Sequence, residues 1–373
     1  MAASVLLVSC GKPGPSATQS SRLASAPRTS SQSSVSGARV QPPVGQNGVA
    51  LRCTIPVALS GPVDPTNYRL GSPHGGFVSF PGGSVIEDAA GSTHWTAASE
   101  SRIKTAPQPT LTGYGTVSYD SAAHRWVPVS RELVSPDGAS YTYAEAVSPQ
   151  DIRVLPTAVH VVTIATGADR VVYSSGKNET PILFAAEGIY LVTGRWEAST
   201  VGLRLLDPQT GAVRVFAVSG SWSVISGGAA WGIDASSGGV GSPGPGRLDR
   251  LDLSTGAVSA WYEVPSDRWV YPVGLDVDGA PIIATWTYGS ATSPQVEEFY
   301  RLVAQSQVLR LFSAGVDQSL NGAMSDLNGL WFGSASVGGG LWFYSPSAGL
   351  QRVASMSSGP EGLRIDGPAG PCT

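Results

Sequence analysis

Residues 183–218, LFAAEGIYLVTGRWEASTVGLRLLDPQTGAVRVFAV, contain four short strand-like segments separated by turn residues. Glu187-Gly188 separates the first two segments, and the run from Asp207 to Gly211 separates the last two. Asp-Pro and Thr-Gly are turn-forming pairs, because proline presets φ and glycine tolerates positive φ. The stretch therefore predicts two successive β-hairpins, which together make a four-stranded unit.

The outer turn of this unit recurs along the chain at intervals of 42 to 51 residues, and five of its six copies have arginine three positions later. The turns are at Ala122, Gly167, Gly211, Gly256, Gln307 and Gly349, and the later positions are Arg125, Arg170, Arg214, Ser259, Arg310 and Arg352. The inner turns are Asp137-Gly138, Glu187-Gly188, Gly227-Gly228, Asp278-Gly279 and Asn328-Gly329. A repeat of this length, built from short strands, is typical of a β-propeller.

We therefore predict an all-β fold, a six-bladed β-propeller that is closed by pairing of N- and C-terminal strands. Seven blades are the alternative, because residues 81–116 show little strand pattern. Five blades are complete in the sequence, and the sixth must be assembled from both ends. We expect residues 362–365 to supply its first strand, and residues 76–80 and 117–129 to supply its later strands.

The recurrent arginine falls on the outermost strand of each predicted blade. A charged side chain there discourages pairing of the open edge with another molecule. The alternative interpretation is a belt of anion-binding arginines. We favour the structural role, because the outer strands face away from any central site.

Composition excludes some functions. Only 13% of the 373 residues are charged, the net charge is −4, and no run of Lys or Arg occurs. These features argue against nucleic acid as a partner and against electrostatic docking on anionic lipid. We expect a monomer.

The N-terminal residues predict attachment to a membrane. Leu7-Val8-Ser9-Cys10 resembles a bacterial lipobox, which implies that Cys10 is lipidated and that the protein is extracytoplasmic. The segment lacks a basic start and is short for a signal peptide; the alternative is a chance cysteine. We assign residues 1–9 to a truncated signal segment, 10–49 to a disordered Ser/Pro/Gly-rich tether and 50–373 to the propeller.

Two further cysteines stand near the ends of the predicted propeller. Cys53 opens the strand-like region and Cys372 is the penultimate residue. Because a propeller brings its two ends together in one blade, these residues are expected to be close enough for a disulfide in an oxidising compartment. The alternative is a pair of free thiols.

The longer connections, between the second and third strands and between blades, are richest in aromatic residues. Binding residues concentrate on variable loops held by a rigid scaffold, and aromatic faces beside charges suit a protein, peptide or glycan. The alternative for the tryptophans beside strand ends is that they fill the wedge between blades. The predicted binding residues are Arg195, Trp196, Glu197, Trp222, Arg268, Trp269, Trp286 and Tyr288.

Catalytic patterns are weak. The four histidines show no metal-ligand spacing, and no Gly-x-Ser-x-Gly elbow occurs. The acidic residues Glu297, Glu298 and Asp317 lack a Ca²⁺-loop spacing, and we expect them to be solvated. We therefore predict no catalytic residue, no metal and no cofactor.

Several blade motifs resemble those of bacterial extracytoplasmic propellers of the TolB-like and WD40-like kind. Residues 135–143, SPDGASYTY, resemble a TolB-type hairpin, and residues 329–333, GLWFG, resemble blades of the streptogramin-lyase and sensor type. The resemblance spans residues 75–373 and implies the architecture, because many functions share these motifs.

Three functional hypotheses follow. The first is a surface lipoprotein whose propeller binds a partner without catalysis. The second is a secreted propeller enzyme of the lyase, lactonase or glycosidase type. The third is an envelope spacer that has no small ligand.

Overall fold

A computed structural model describes residues 51–60, 74–91, 111–112, 117–146, 157–177, 179–193, 202–233, 246–265, 267–287, 296–315, 318, 320–334, 340–356 and 363–373. These residues form strands β1 to β26, numbered in chain order, and two short 3₁₀ turns. No helix among them is long and apolar enough to cross a bilayer. Cys10 and the predicted segments 1–9 and 10–49 lie outside the described residues.

One sheet joins the two ends of the described chain. Its order is β26-β1-β2-β3, and β1 pairs antiparallel with both neighbours. Thr54 and Thr373 exchange two backbone hydrogen bonds of 2.9 and 3.1 Å beside this sheet. The predicted closure of the propeller is confirmed. Its strands are β1 (Thr54–Ser60), β2 (His74–Ser79), β3 (Ser84–Glu87) and β26 (Arg364–Pro368).

The prediction that residues 117–129 belong to this closing sheet is wrong. They contain β5 (Ser118–Asp120) and β6 (Arg125–Val127), which form a separate two-stranded sheet. Trp126 of β6 packs beside Phe77 of β2, with ring centroids 5.4 Å apart. The hairpin therefore covers the closing sheet, and burial of its aromatic side chains offsets the lack of edge pairing.

The other strands form consecutive antiparallel sheets. One has the order β4-β7-β8-β9, two others follow chain order as β10–β13 and β14–β17, and the last is eight-stranded. In that last sheet β18 and β22 are joined only by one parallel bridge, between Gly274 and Ala323. The eight strands therefore fall into two four-stranded groups, β18–β21 and β22–β25.

The first two of these sheets contain β4 (Leu111–Thr112), β7 (Ser140–Ala146), β8 (Thr157–Thr163), β9 (Asp169–Ser175), β10 (Glu179–Ala185), β11 (Gly188–Thr193), β12 (Leu203–Leu206) and β13 (Val213–Ala217). The next contains β14 (Ser221–Ser226), β15 (Ala229–Ile233), β16 (Arg247–Asp252) and β17 (Val258–Glu263). The eight-stranded sheet contains β18 (Arg268–Leu275), β19 (Pro281–Thr287), β20 (Val296–Ala304), β21 (Gln307–Gly315), β22 (Leu320–Ser325), β23 (Leu330–Ser334), β24 (Leu341–Ser345) and β25 (Gly349–Ala354).

In the four groups β10–β13, β14–β17, β18–β21 and β22–β25, short turns join the first and second strands, and the third and fourth, at one end that we call the turn end. At Gly211, between β12 and β13, φ is +73°, a conformation that glycine adopts without steric cost. At the opposite end the second strands β11, β15 and β19 end and the third strands β12, β16 and β20 begin; the residues between them in sequence, 194–201, 234–245 and 288–295, lie outside the described residues. We call this opposite end the loop end.

The core is a ring of apolar layers between neighbouring sheets. Leu191 of β11 packs with Val159 of β8, and Trp222 of β14 packs with Tyr190 of β11. Similar layers join β14–β17 to β18–β21, β18–β21 to β22–β25, and β22–β25 to the closing sheet. The β5–β6 hairpin completes the ring, because Trp126 packs on the closing sheet and Val127 packs on β7. The described strands thus form a closed β-propeller. Six four-stranded groups are present, and the blade count remains a prediction because the β5–β6 hairpin stands apart.

Three of the five recurrent arginines join neighbouring sheets, a role that the sequence did not predict. Each of three arginines on an outer strand or hairpin donates to a backbone carbonyl in the outer turn of the next sheet. The pairs are Arg125 with Ile164 at 2.8 Å, Arg170 with Pro208 at 2.9 Å and Arg214 with Leu253 at 3.3 Å. We call these bonds the arginine staples.

The direction of this contact reverses at the repeat where serine replaces arginine. Beside Ser259, the Gln305 side chain donates to the Ala260 carbonyl at 2.8 Å, and the Ser306 amide donates to the Trp261 carbonyl at 2.7 Å. Here the turn donates and the outer strand accepts. The turns of this blade therefore remain attached to their neighbour without an arginine.

The predicted disulfide is present. Cys53 and Cys372 are bonded, with Cα atoms 5.5 Å apart and a sequence separation of 319. The Cys372 amide also donates to Asp326 at 3.0 Å, in the turn between β22 and β23. The C-terminal residues are thus attached both to the start of β1 and to the neighbouring sheet.

Candidate functional site

Two tryptophans lie side by side at the loop end of the β18–β21 sheet. Trp269 is the second residue of β18, and Trp286 is the penultimate residue of β19. The register places them directly opposite each other. Directly opposed residues share one face, with Cβ atoms about 5 Å apart. Both side chains are half-buried, so they form an aromatic pair that is partly open to solvent.

A hydrogen bond between β18 and β20 lies beside this pair. The Tyr271 hydroxyl of β18 donates to the Glu297 carboxylate of β20. Tyr271 lies on the face of Trp269, because residues two apart share a face, and Glu297 lies opposite Trp286. The bond must cross β19, where the facing residue between them is the small, buried Ala284. The four side chains thus occupy adjacent positions on one face, which we call the aromatic–acid cluster.

Glu297 is a buried acid without a basic partner among the residues that the structure describes. Its exposed fraction is 6%, and no Lys or Arg in the described part of the chain forms an ion pair with it. Burial raises the pKa of Glu297, and the hydrogen bond from Tyr271 lowers it by less. Burial likewise raises the pKa of the Tyr271 hydroxyl, and the carboxylate beside it adds to that increase. The phenol therefore remains a donor to Glu297 at all ordinary pH values.

The opposite face of the same strands pairs one carboxylate with two guanidinium groups. The Glu298 carboxylate accepts from Arg268 at 2.7 Å and lies 3.1 Å from a guanidinium nitrogen of Arg310. The Tyr300 hydroxyl donates to the same carboxylate at 3.0 Å. Adjacent residues on a strand point to opposite faces. Glu298 is therefore separated from the aromatic–acid cluster, although it follows Glu297 in sequence.

Buried ion pairs lie near the loop end of two other sheets. Glu179, fully buried in β10, bonds Arg204 of β12, and Asp249, fully buried in β16, lies 2.8 Å from Arg247. Each of these two carboxylates is therefore ion-paired with an arginine. Glu297 differs from both, because its described hydrogen bond comes from a neutral phenol.

The structure shows where several predicted binding residues lie. Arg195, Trp196, Glu197 and Tyr288 lie outside the described residues. Trp269 and Trp286 lie together at the loop end, but in strands and not in loops. Arg268 begins β18 and is held by Glu298 on the other face.

Trp222 requires a correction. It is 2% exposed, and its indole donates to the Ser219 carbonyl at 2.9 Å while the ring packs between two sheets. Its side chain belongs to the core and not to an exposed binding surface, because the wedge between neighbouring sheets needs a large side chain. This location agrees with the alternative considered for it.

The expectation that Glu297 and Glu298 are solvated loop residues is also wrong. Both lie in β20, where one is buried and the other is ion-paired. A local signal was present, because Glu297 alternates with Phe299 and period-two spacing places both on one face. Its bond to Tyr271 had no sequence signal, since that contact depends on the register of three strands.

Among the described histidines, His160 is the buried one, and it has polar partners. His160 stacks on Tyr143, with centroids 4.5 Å apart, and its Nδ1 lies 2.9 Å from Asp169. Its Nε2 lies 3.4 Å from Glu145. The described residues contain no group of three or more His, Cys, Asp or Glu that could hold a metal ion.

Comparisons with known proteins give resemblances to solved structures only. No family model and no curated protein matches the chain. An oligogalacturonate lyase in complex with manganese is 10% identical, with a TM-score of 0.47 over 81% of this chain and 90% of that one. The β-propeller domain of the Trilobed protease from Pyrococcus furiosus is 12% identical, with a TM-score of 0.43 over 80% of each chain. A putative TolB from Agrobacterium tumefaciens is 11% identical, with a TM-score of 0.36 over 70% and 90%.

The class of protein follows from the chain's own topology. Neighbouring four-stranded sheets pack face to face in chain order, and the first and last described strands pair in one of them. The protein is a β-propeller.

Proposed function

We propose that this protein is an extracytoplasmic, non-catalytic binding module that engages a protein, peptide or glycan at the loop end of its propeller. The observation that carries the proposal is the half-buried pair Trp269 and Trp286 on adjacent strands. Half-buried aromatic side chains offer large apolar faces and a polar edge, and they dominate recognition surfaces. Because the pair lies on strands and not on a loop, it is held rigidly for a ligand.

The carboxylates near this pair favour binding over glycoside hydrolysis. Most glycosidases need two carboxyl groups about 5–9.5 Å apart that face the same bond. Glu297 lies on the aromatic face, whereas Glu298 lies on the other face and is paired with Arg268. These neighbours do not form such a pair.

Two observations support an extracytoplasmic location with a lipid at Cys10. The Cys53–Cys372 disulfide is of the kind that persists in oxidising compartments. Cys10 follows a lipobox-like tripeptide. Incorporation of labelled palmitate in a bacterial host, lost in Cys10→Ser, tests the anchor. Equal labelling of both proteins would refute it.

Binding is tested with immobilised envelope polysaccharide and with arrays of peptides and glycans. We expect Trp269→Ala and Trp286→Ala to weaken binding of at least one ligand class by about tenfold or more, since such truncations remove more than 1.4 kcal/mol at central positions. Leu309→Ala is the matched control, because Leu309 is exposed on β21 of the same sheet near the turn end. Full binding by both tryptophan variants would refute the site.

The enzyme hypothesis is tested with lactones, glycosides and oligosaccharide lyase substrates. We expect no turnover. Turnover that is abolished in Glu297→Gln and retained in Leu309→Ala would replace the binding proposal with a catalytic one.

A further inference from the structure

We infer that the aromatic–acid cluster binds a methylated ammonium group, such as the head of choline or a trimethylated amine. The inference rests on the proposed binding function and specifies its ligand class. Two indoles and one phenol occupy neighbouring positions on a single sheet face, beside a buried carboxylate that has no basic partner among the described residues. Aromatic faces combined with an acid are the composition of sites that recognise quaternary ammonium groups.

The aromatic side chains supply the first part of the recognition. A cation within about 6 Å of a ring centroid is attracted by the ring quadrupole, and tryptophan gives the strongest attraction. Trp269 and Trp286 are directly opposed, and Tyr271 is two residues from Trp269 on the same strand. Cβ atoms so placed are about 5–7 Å apart, which allows one trimethylammonium group to contact more than one ring.

The buried carboxylate supplies the second part. Removing an ionised carboxylate from water is costly unless an opposite charge compensates for it. Here burial raises the pKa of Glu297, as expected for an acid without a counter-ion. The nearby guanidinium groups of Arg268 and Arg310 are directed to Glu298 on the other face. A bound cation on the aromatic face would therefore provide the charge that Glu297 lacks.

The hydrogen bond to Tyr271 favours a methylated ammonium over an unmodified one. Glu297 accepts one hydrogen bond from the phenol, and the other side chains of the cluster present aromatic faces, so its acceptor sites are few beside its aromatic surface. An unmodified ammonium is strongly hydrated and needs hydrogen-bond acceptors to replace its water. A methylated ammonium has few or no N–H donors to satisfy, so it loses less on leaving water.

A sugar is the competing ligand for aromatic side chains. Sugar hydroxyls need several donors and acceptors around the ring, whereas the acid of this cluster is engaged by Tyr271. The charged head group therefore fits the described side chains better. A sugar becomes an outcome of the test.

The test titrates the full-length protein with tetramethylammonium, with choline and with 3,3-dimethylbutan-1-ol, a neutral isostere of choline. Tryptophan fluorescence and calorimetry are the readouts. We expect both cations to bind, with the isostere at least about tenfold weaker, because only the cations gain from the ring quadrupoles and the carboxylate. Equal binding of choline and the isostere would show a merely apolar site and overturn the inference.

Variants separate the contribution of charge from that of shape. Glu297→Gln keeps an acceptor for the Tyr271 hydroxyl but removes the charge, so choline affinity should fall at least about tenfold while isostere affinity is unchanged. Trp286→Ala should weaken both ligands. Leu309→Ala should alter neither. An unchanged choline affinity in Glu297→Gln would refute the electrostatic role of the acid, and thermal unfolding of each variant checks its fold.

The pH dependence gives an independent readout. The pKa of Glu297 is raised, so its charge is lost as pH falls through that value. Choline affinity should therefore increase with pH through this range in the wild type and remain flat in Glu297→Gln. A similar slope in both proteins would contradict the assignment.

The outcomes also distinguish this inference from the proposed function. One outcome is that choline shows no binding while a glycan or peptide binds and loses affinity when Trp269 and Trp286 are replaced by alanine. In that case the proposed binding function is supported and the inferred ligand class is wrong. If no probe binds, or if every ligand tolerates loss of both tryptophans, the binding function fails as well.

Discussion

The Arg170 guanidinium donates a 2.9 Å hydrogen bond to the Pro208 carbonyl, and this bond joins the outer strand of one sheet to the outer turn of the next. Arg125 and Arg214 repeat the contact at partner separations of 39 residues, against 38 for Arg170. Each of these separations is slightly shorter than one sequence repeat of 42 to 51 residues. The arginine pattern therefore marks the contact between successive blades.

We expect Arg170→Ala to lower the free energy of unfolding by about 0.5–1.5 kcal/mol, the usual net contribution of one such bond. Arg214→Ala should behave similarly, and the double variant should be near additive because the two bonds share no partner. Urea denaturation measures both. A role in edge protection alone predicts aggregation without loss of stability, and that result would contradict the staple.

Loss of the disulfide should destabilise the fold strongly. Cys53→Ser combined with Cys372→Ser opens a closed loop of 319 residues. The chain-entropy model gives on the order of 5 kcal/mol for such a loop, and native disulfides typically contribute about 2–5 kcal/mol. The midpoint of urea unfolding, with and without reductant, tests this. Reductant should shift the wild type toward the double variant and leave the variant unchanged.

Trp222→Ala should be among the most destabilising substitutions in the chain. The indole fills the layer between the β10–β13 and β14–β17 sheets, and truncating such a side chain leaves a cavity that costs about 3–5 kcal/mol. Trp222→Phe should cost less. A loss below about 1 kcal/mol in the alanine variant would contradict the core assignment.

The aspartates of the outer turns should make stability depend on pH. Asp207 accepts from the Thr210 hydroxyl at 2.7 Å and from the Gln209 amide at 2.8 Å, and these bonds lower its pKa. A lowered pKa gives stability that is present above the unfolded value and is lost as pH falls through the folded value. Asp207→Ala should therefore be less stable than wild type at about pH 7, and the difference should shrink as the pH falls below the unfolded pKa of about 3.9 and through the lowered folded pKa. A constant difference at all pH values would assign the effect to turn shape alone.

The turns were predictable from sequence, because turn chemistry is local. Gly227-Gly228 and Asn328-Gly329 connect first and second strands as expected. Residues 364 and 365 supply the first strand of the closing sheet, also as expected. These features depend on a few neighbouring residues each.

The second strand of the closing sheet was not predictable in the same way. β1 contains Pro56, and proline argues against a central strand because it lacks the amide donor. The structure accommodates it because the pairing of β1 with β26 begins at Val57, and the Pro56 carbonyl accepts from the Ala369 amide at 2.8 Å. Such a partner, over three hundred residues away, leaves no local mark.

The candidate site was predictable in part. The aromatic content of the β18–β19 region indicated Trp269 and Trp286. The partnership of Tyr271 with Glu297 depends on which residues face each other across β19, and the sequence does not specify that register. Glu297 and Glu298 are adjacent in sequence but lie on opposite faces of the sheet, because successive side chains of a strand alternate. This difference follows from the sequence only when both residues are assigned to strand β20.

The backbone bonds between Thr54 and Thr373 have a consequence for protein engineering. Because these residues are already adjacent, a short Gly/Ser linker can connect them covalently, and new termini can be opened in an outer turn such as the one at Gly167. The circularly permuted chain would retain every sheet while its blades were synthesised in a different order. The permuted protein would therefore place its chain break in an outer turn, where peptide continuity is not needed to hold the sheets together.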